Sequence, residues 1–251
     1  MKHLYALIII LIFCLFISSC EQKEARYVIG VSQCSDDEWR TQMNKEIRRE
    51  ALFYPGVEVD IRSANDDNRK QTEDIERFIR RKVDLIVVAP NEAEAITPVI
   101  EKAYAKGIPV VLVDRRINSD QYTAYVGADN YEMGRQIGHY ITTRLEGKGN
   151  VVELTGLKGS TPAADRHRGL MDVLSRTPGI QIVASADAGW FQKSAEQAFD
   201  SILTCQPKID LVFAHNDRMA AGAHAAALRH GRANKMLFVG VDALPGKGLG
   251  V

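Results

Sequence analysis

The sequence predicts an α/β protein with two open parallel β-sheets, in two lobes (residues 27–127 and 128–251) joined by a hinge. Short apolar runs alternate with amphipathic helical stretches from Tyr27 onward, a pattern typical of parallel βαβ units. The runs are almost continuously apolar, as expected of strands that helices cover on both faces. At Asn118–Asp129 a short extra strand, Tyr122–Gly127, replaces the crossover helix. That break favours two open-sheet lobes over a single closed (β/α)8 barrel.

The elements are predicted in strict alternation along the chain. Strands are expected at Tyr27–Ser32, Val57–Arg62, Leu85–Ala89, Val110–Asp114, Asn150–Thr155, Ile180–Ala184, Leu211–Ala214 and Leu237–Val241. Helices are expected near Trp39–Phe53, Arg69–Lys82, Ile96–Lys106, Glu132–Leu145, Asp165–Ser175, Ser194–Leu203 and Arg218–His230. In the second helix, Ile75, Phe78, Ile79 and Val83 recur at helical spacing and mark the face that should be buried.

Composition and charge narrow the class of protein. Of the 251 residues 45% are hydrophobic and 25% charged, which is ordinary for a globular chain and excludes a disordered, collagen-like or coiled-coil one. Lys and Arg number 32, and so do Asp and Glu, which gives zero formal net charge. Proteins that hold nucleic acid through its phosphates usually carry a basic excess or stripe. No nucleic-acid partner is therefore expected.

The N-terminus resembles an export signal. Lys2 precedes an uncharged apolar run, Leu4–Ile17, and small residues then lead to Cys20, as in a secretory signal whose last residues form a bacterial lipobox. Residues 1–19 are expected to be removed, Cys20 to carry lipid, and residues 20–26 to form a tether. The alternatives are simple secretion or a membrane anchor, although the run is shorter than the roughly 20 residues that cross a bilayer. Under each alternative the rest of the chain is exported, and we expect it in the periplasm.

Cysteines are few in the exported part. Cys34 and Cys205 lie near strand–helix junctions in different lobes, so we expect two unpaired and partly buried thiols. A disulfide in an oxidising compartment is the alternative. The sequence has no CxxC pair, and no metal or other cofactor is expected.

Polar and aromatic residues collect directly after the predicted strands. They are Gln33–Arg40, Asp114–Arg116, Gly156–Thr161, Asp165–Arg168, Asp187–Phe191, His215–Arg218 and Asp242. In open parallel sheets ligands bind beyond the carboxyl ends of the strands. Carboxylates, guanidinium groups, an amide and both tryptophans suit a sugar, which offers hydroxyls to the polar groups and C–H faces to the indoles.

Each of these groups also has a plain structural interpretation. Asp36, Asp165 and Asp217 lie near predicted helix starts, where a carboxylate caps free amides. Asp114 and Arg115 are also explained as an ion pair at a strand end, and the tryptophans as packing. The Gly156–Thr161 turn does not match a phosphate-binding loop, and no nucleophile elbow or HExxH sequence is present.

Several segments of the sequence resemble those of a known protein family. Val113–Arg115, Gly127–Asn130, Arg166–Gly169, Val212–Asp217 and Val239–Asp242 are similar to the type I periplasmic sugar-binding proteins of the ribose- and galactose-binding group. Gly30–Met43, Arg62–Thr72 and Asp242–Gly250 resemble more closely the exported sensor domain of Bacteroides-type hybrid two-component regulators, which detects a monosaccharide. The resemblance implies two Rossmann-like lobes that close around the ligand.

The resemblance also implies which residues contact the sugar. In the first lobe they are Ser35, Asp36 and Trp39 in the loop after the first strand, and Asp114 and Arg115, which match a pair that grips ring hydroxyls. In the second lobe they are Arg166, Asn216 and Asp242 as polar contacts and Trp190 as an aromatic that packs on the ring.

Two departures from the family are visible. The loop after the first strand carries one Trp and acidic residues where transport-type relatives often carry two aromatics, which leaves the identity of the sugar open. The chain stops at Val251, before the elements with which family members return to the first lobe. We therefore expect a C-terminally truncated fold with an incomplete second lobe.

The leading hypothesis is a non-catalytic exported receptor for a pentose or hexose. Its expected partners are a sensor kinase or an ABC permease, with membrane attachment through the lipid or through a transmembrane segment outside this sequence. A transcriptional repressor core of the lactose-repressor type shares the fold, but it would need a helix-turn-helix where the export signal lies. An exported sugar-processing enzyme would need two matched carboxylates, and no pair stands out.

Overall fold

The computed structural model describes residues 27–243. The predicted signal peptide, the predicted lipid attachment at Cys20 and the predicted tether lie outside the described residues, as does the chain after Ala243. Within residues 27–243, no helix is both long and apolar enough to cross a membrane.

The first lobe is built on a five-stranded parallel sheet. Its strands are β1 (Tyr27–Gln33), β2 (Val57–Ser63), β3 (Leu85–Val88), β4 (Val110–Val113) and β5 (Ala124–Val126), in the order β2-β1-β3-β4-β5. Its helices are α1 (Glu38–Ala51), α2 (Asn68–Arg81) and α3 (Ala93–Ala105). The short strand β5 pairs with β4 and forms one edge of this sheet.

The second lobe is built on a four-stranded parallel sheet. Its strands are β6 (Gly149–Thr155), β7 (Ile180–Asp187), β8 (Leu211–Ala214) and β9 (Leu237–Val239), in the order β7-β6-β8-β9. Its helices are α4 (Asn130–Arg144), α5 (Thr161–Leu174), α6 (Gln192–Cys205) and α7 (Asp217–Arg229), followed by a 3₁₀ turn at Ala233–Lys235. The predicted fold class, two open parallel sheets in an α/β protein, is confirmed.

The two sheets differ in how far they are covered. In the second lobe β8 is buried along its whole length. One core beside it includes Phe213 and Leu170, and the core on the other face includes Phe199 and Val212. In the first lobe β3 and β4 alternate between buried and half-exposed residues. The prediction that strands are covered on both faces is therefore wrong for β3 and β4, whereas the last four residues of β1 are all buried.

The reason is that α1 covers little of its side of the first sheet. Arg40 is the one residue of α1 that is buried, and Leu52 and Phe53, just beyond its end, are 82% and 73% exposed. Helices α2 and α3 pack on the opposite face, where Phe78 and Ile96 join its core. The apolar sequence of a strand thus predicts a sheet, but it does not predict a helix on each face.

Three predicted helix caps are displaced by a few residues. Asp37, not Asp36, caps α1 by accepting a hydrogen bond from the Arg40 amide at 2.9 Å. Asn216, not Asp217, caps α7, and Asp165 lies inside α5 in an ion pair with Arg168. A polar side chain does cap α1 and α7, but in each case it belongs to the residue next to the one suggested. The reason is that α1 begins at Glu38 and α7 begins at Asp217 itself.

The two cysteines of the described region are unpaired, as expected. The expectation that both are partly buried is wrong. Cys34 is wholly buried at the end of the first strand, while Cys205 is exposed at the end of α6.

Candidate functional site

A cavity of about 290 Å³ lies where the carboxyl ends of both sheets face each other. Its lining residues are Asp37, Trp39, Arg40, Val113, Asp114, Arg115, Val126, Gly127, Ala128, Met133, Pro162, Arg166, Trp190, Asn216 and Asp242. Small-molecule sites occupy about 300–1,000 Å³, so this volume, at the lower end, suits a compact ligand. The cavity is lined from both lobes, as a ligand that bridges them requires.

The cavity brings together most of the residues that the sequence predicted for the site. They are Trp39, Asp114, Arg115, Arg166, Trp190, Asn216 and Asp242. Ser35 and Asp36 do not line it. Ser35 is buried and its hydroxyl donates to the Asp37 carboxylate at 2.9 Å, whereas Asp36 is exposed.

Sequence reasoning missed two charged residues of the same loop, Asp37 and Arg40. Both lie within Gln33–Arg40, a segment that the sequence analysis predicts to be at the site. The segment was therefore predicted correctly, but these two positions within it were not. Since α1 begins at Glu38, Asp37 becomes its cap and Arg40 faces the buried side of its first turn.

An ion pair organises the first-lobe wall of the cavity. The Arg40 guanidinium, 3% exposed, donates to Asp114 Oδ2 at 2.6 Å. Arg115 is fixed by hydrogen bonds from Nη1 to the carbonyl oxygens of Asn91 at 2.9 Å and Pro90 at 3.4 Å. Its buried Nε has no hydrogen-bond partner in the structure and lies 3.8 Å from the Asp114 carboxylate. This wall therefore offers a donor and an acceptor side by side.

The second-lobe wall is held by hydrogen bonds between buried groups. Arg166 donates from Nε to Asn130 Oδ1 at 2.9 Å and from Nη1 to the His215 carbonyl, and its Nη2 lies 3.6 Å from Asp242 Oδ1. Asn216 accepts from the Met219 amide with its side-chain oxygen. These contacts leave Arg166 and Asp242 fixed at the cavity surface.

Trp190 stands between the two lobes. The guanidinium carbons of Arg115 and Arg166 lie 5.5 and 5.6 Å from its ring centre, within cation–π range. Its buried indole Nε1 has no hydrogen-bond partner in the structure, and its carbonyl accepts from the Asn216 amide at 3.2 Å. A Cβ added at Gly156 would overlap the indole ring, so only glycine leaves room for Trp190 there.

Three of the residues that line the cavity have a left-handed backbone conformation. Asp114, Trp190 and Asp242 have φ values of +65°, +75° and +92°, in the left-handed region that side-chain-bearing residues seldom adopt. Such conformations cost of order 1–3 kcal/mol each and tend to occur at ligand-binding sites. Three of the cavity residues therefore hold conformations that the fold alone does not favour.

The Asp242 carboxyl is electrostatically unusual. Burial, together with the nearby carboxylates of Asp217 and Asp114, raises its pKa to about 6 against the opposing attraction of Arg166. Asp242 thus changes its charge close to neutral pH. Perturbed carboxyls in clefts are a mark of functional sites.

The chemistry of the lining is that of polyol recognition. Carboxylates accept hydrogen bonds from hydroxyls, guanidinium groups donate to them, and an indole face packs on C–H groups. Among residues 27–243, no three His, Cys, Asp or Glu side chains are grouped so that they could hold a metal ion.

Comparison with known proteins agrees with this geometry. The family model described as a periplasmic binding protein domain matches residues 29–247. The ribose import binding protein of Bacillus subtilis is 30% identical over 217 residues, which cover 86% of this chain and 70% of that protein. A xylitol-binding protein of Mycolicibacterium smegmatis is 32% identical over 189 residues, 75% of this chain and 54% of its own length.

Solved structures give the same result. The fructose-binding periplasmic domain of a hybrid two-component system is 59% identical with a TM-score of 0.88, over 90% of this chain and 75% of that one. A galactofuranose-binding protein is 30% identical with a TM-score of 0.78, over 82% of this chain and 72% of that one. The resemblance predicted from the sequence is confirmed: this chain belongs to the family of periplasmic sugar-binding proteins.

Proposed function

We propose that this chain is a non-catalytic receptor that binds one monosaccharide in the cavity between its lobes and acts as the sensor domain of a two-component regulator. The observation that carries the proposal is the convergence of carboxylates, guanidinium groups and an indole from both lobes on one small cavity. The 59% identity to a fructose-binding sensor domain favours sensing and makes fructose the first sugar to test.

Eight of the nine predicted ligand-binding residues have a role in this proposal. Asp114 and Arg115 bind adjacent ring hydroxyls as acceptor and donor, because the Arg115 Nε is buried without a partner. Arg166 and Asp242 bind hydroxyls on the opposite side of the ring. The remaining contacts are the amide of Asn216 and the rings of Trp39 and Trp190. Ser35 contributes by orienting Asp37, and the structure gives Asp36 no contact with the cavity.

The sugar acts as a bridge between the lobes. A ligand that contacts both walls stabilises the arrangement in which the walls are close, and it shifts the population towards that arrangement by its differential affinity. The predicted hinge between residues 127 and 128 is where the chain would bend. The resulting change in the relative position of the lobes is the signal.

Location and partners follow from the same proposal. The chain is exported to the periplasm with residues 1–19 as the signal, and it is held at the membrane through lipid on Cys20 or through a transmembrane segment. Its partner is a sensor kinase. Delivery to an ABC permease is the second candidate function, because relatives at about 30% identity include import binding proteins.

Thermal melting with tryptophan fluorescence tests the proposal. The purified chain is melted with fructose, ribose, glucose, galactose, arabinose or xylose at millimolar concentration. A sugar at about 100 times its Kd adds roughly 2.7 kcal/mol of stability, so one sugar should raise the Tm by several degrees. If none of these sugars raises the Tm, the result would contradict monosaccharide binding.

The wall of the first lobe gives a direct mutational test. Asp114→Ala or Arg115→Ala should weaken binding of the identified sugar by on the order of 2 kcal/mol or more, because hydroxyls buried in the cavity lose their partners. Arg116→Ala, at an exposed neighbouring position, is the matched control and should bind like the parent. If all three variants bind equally well, the site is misplaced.

A further inference from the structure

A wholly buried carboxylate lies behind the second-lobe wall and takes no part in lining the cavity. Glu153, on the central strand β6, is 0% exposed. Its Oε1 lies 3.0 Å from Nε2 of His215, which is itself wholly buried, and its Oε2 lies 2.8 Å from Nδ1 of His167 on α5. A buried charge is unfavourable unless it is paired and hydrogen-bonded. Two histidines provide that pairing here.

The hydrogen bonds define the protonation of this cluster. The Gly156 amide donates to His215 Nδ1 at 3.3 Å, so Nδ1 carries no proton and the proton sits on Nε2, which donates to Glu153. Burial lowers the pKa of His215 more than Glu153 raises it. Burial acts to raise the pKa of Glu153, but the bonds from His215 and His167 hold it below its ordinary value. The cluster therefore consists of an ionised Glu153 and a neutral His215.

The cluster is connected to two residues of the cavity. The His215 carbonyl accepts a hydrogen bond from Arg166 Nη1, and the His215 ring centre lies 6.3 Å from that of Trp190. Gly156, which donates to the same imidazole, is also the residue over which the Trp190 ring lies. Turning the imidazole would thus disturb its hydrogen bond with Gly156 and the surface beneath Trp190, whereas the His215 carbonyl that accepts from Arg166 belongs to the backbone.

We propose that Glu153 is a positioning residue for the cavity: by fixing the imidazole of His215 it sets where Trp190 presents its ring to the sugar. Glu153 itself does not touch the ligand. The positioning follows from contacts within the second lobe, and only its consequence for affinity rests on the proposed sugar-binding function.

The first experiment uses no ligand. The chain has two tryptophans, so Trp39→Phe leaves Trp190 as the sole fluorophore. In that background Glu153→Gln removes the charge and replaces one of the two acceptor oxygens with an amide donor, so that His215 and His167 can no longer both be paired as they are with the carboxylate. We expect a changed emission maximum and a greater accessibility of Trp190 to acrylamide. Glu196→Gln, on α6 and paired with Arg229, is the matched control and should leave Trp190 unchanged. Identical Trp190 spectra in all three proteins would overturn the proposal.

The second experiment measures affinity for fructose, or for whichever sugar the melting panel identifies. Glu153→Gln should raise the Kd at least tenfold, while His215→Gln should stay within about threefold of the parent. A glutamine amide can donate to Glu153 and accept from Gly156 in place of the ring. Parental affinity in Glu153→Gln, accompanied only by a lower Tm, would show a purely structural role and overturn the proposal.

A milder variant covers the case in which Glu153→Gln does not fold. His167 has a half-exposed side chain, and His167→Ala removes one of the two donors to Glu153 without opening the core. A Kd two- to fivefold above that of the parent is expected, and an unchanged Kd and Trp190 spectrum would count against positioning. If the parent binds no sugar, the proposed function fails, and the ligand-free spectra alone decide whether Glu153 positions Trp190.

Discussion

The two lobes share one βαβ plan but differ in what holds them together. In the second lobe, strand β8 is buried along its whole length and lies between two apolar cores. In the first lobe, β3 and β4 are buried on one face, while Val87 and Val111 on the other face remain half-exposed. The comparison shows that equal secondary structure does not give equal burial, and burial is what stabilises a sheet.

The same difference extends to the walls of the cavity. On the second-lobe side, buried hydrogen bonds hold Arg166 against a packed core. On the first-lobe side, the helix that carries Trp39 contributes one buried residue, Arg40, and its link to Asp114 is an ion pair. The first-lobe wall therefore depends on polar contacts where the second-lobe wall is backed by hydrophobic packing.

The largest expected effect contrasts two phenylalanines. Phe213→Ala, wholly buried in the second lobe, should lower the free energy of unfolding by about 3–5 kcal/mol through lost burial and a cavity. Phe53→Ala, at an exposed position beyond α1 in the first lobe, should change it by less than about 0.5 kcal/mol. Urea unfolding measures both, and a large loss in Phe53→Ala would show that this edge of the first lobe is packed after all.

A pair of valines compares the two sheets more closely. Val152→Ala on β6, wholly buried, should cost about 2 kcal/mol, since two methyl groups leave a packed core. Val111→Ala on β4, half-exposed, should cost below about 1 kcal/mol. Equal losses in urea unfolding would mean that the open face of the first sheet contributes as much as a covered one.

Two aspartates, one from each wall, should respond in opposite directions. Asp242 has its pKa raised from the ordinary 3.8 to about 6 by burial, so the folded state binds its proton more tightly than the unfolded state. Stability from this group is present below about pH 4 and is lost as the pH rises to 6. Asp242→Asn should therefore stabilise the ligand-free protein by about 1–3 kcal/mol at pH 7, with the gain vanishing near pH 4.

Asp114→Asn is the matched variant in the first lobe. Asp114 accepts from Arg40 at 2.6 Å, so loss of its charge should destabilise the protein by about 1 kcal/mol. Melting curves of both variants between pH 4 and 8 measure the contrast. A gain in stability from Asp114→Asn would contradict the expected difference between the aspartates of the two walls.

The sequence predicted most of the fold and only part of its packing. The strand Leu85–Val88 and the strand Leu211–Ala214 are both runs of four apolar residues, yet the first is covered on one face and the second on two. Which helices lie over a strand depends on contacts distant in sequence. Local composition therefore identified the strands and could not show that one face of β3 and β4 is only partly covered.

For the site, strand-end reasoning found the correct edge of each sheet. It could not find the contact between Arg40 and Asp114, which are 74 residues apart, nor the one-residue shift that turns Asp37 towards the cavity instead of Asp36. Glu153 did leave a signal. A glutamate inside the apolar strand Gly149–Thr155 has to find a buried partner, and histidines are present after β8 and on α5.

The strained backbone at Asp114, Trp190 and Asp242 bears on how this protein responds to selection. At such positions glycine relieves the strain, so a substitution such as Asp114→Gly removes a conformational cost together with a side chain that the cavity needs. Selection for heat resistance alone would thus tend to replace residues that we propose to contact the sugar. In a library selected only for thermostability, variants substituted at these three positions should bind the sugar least often. Selection for binding then has to be applied as a separate step.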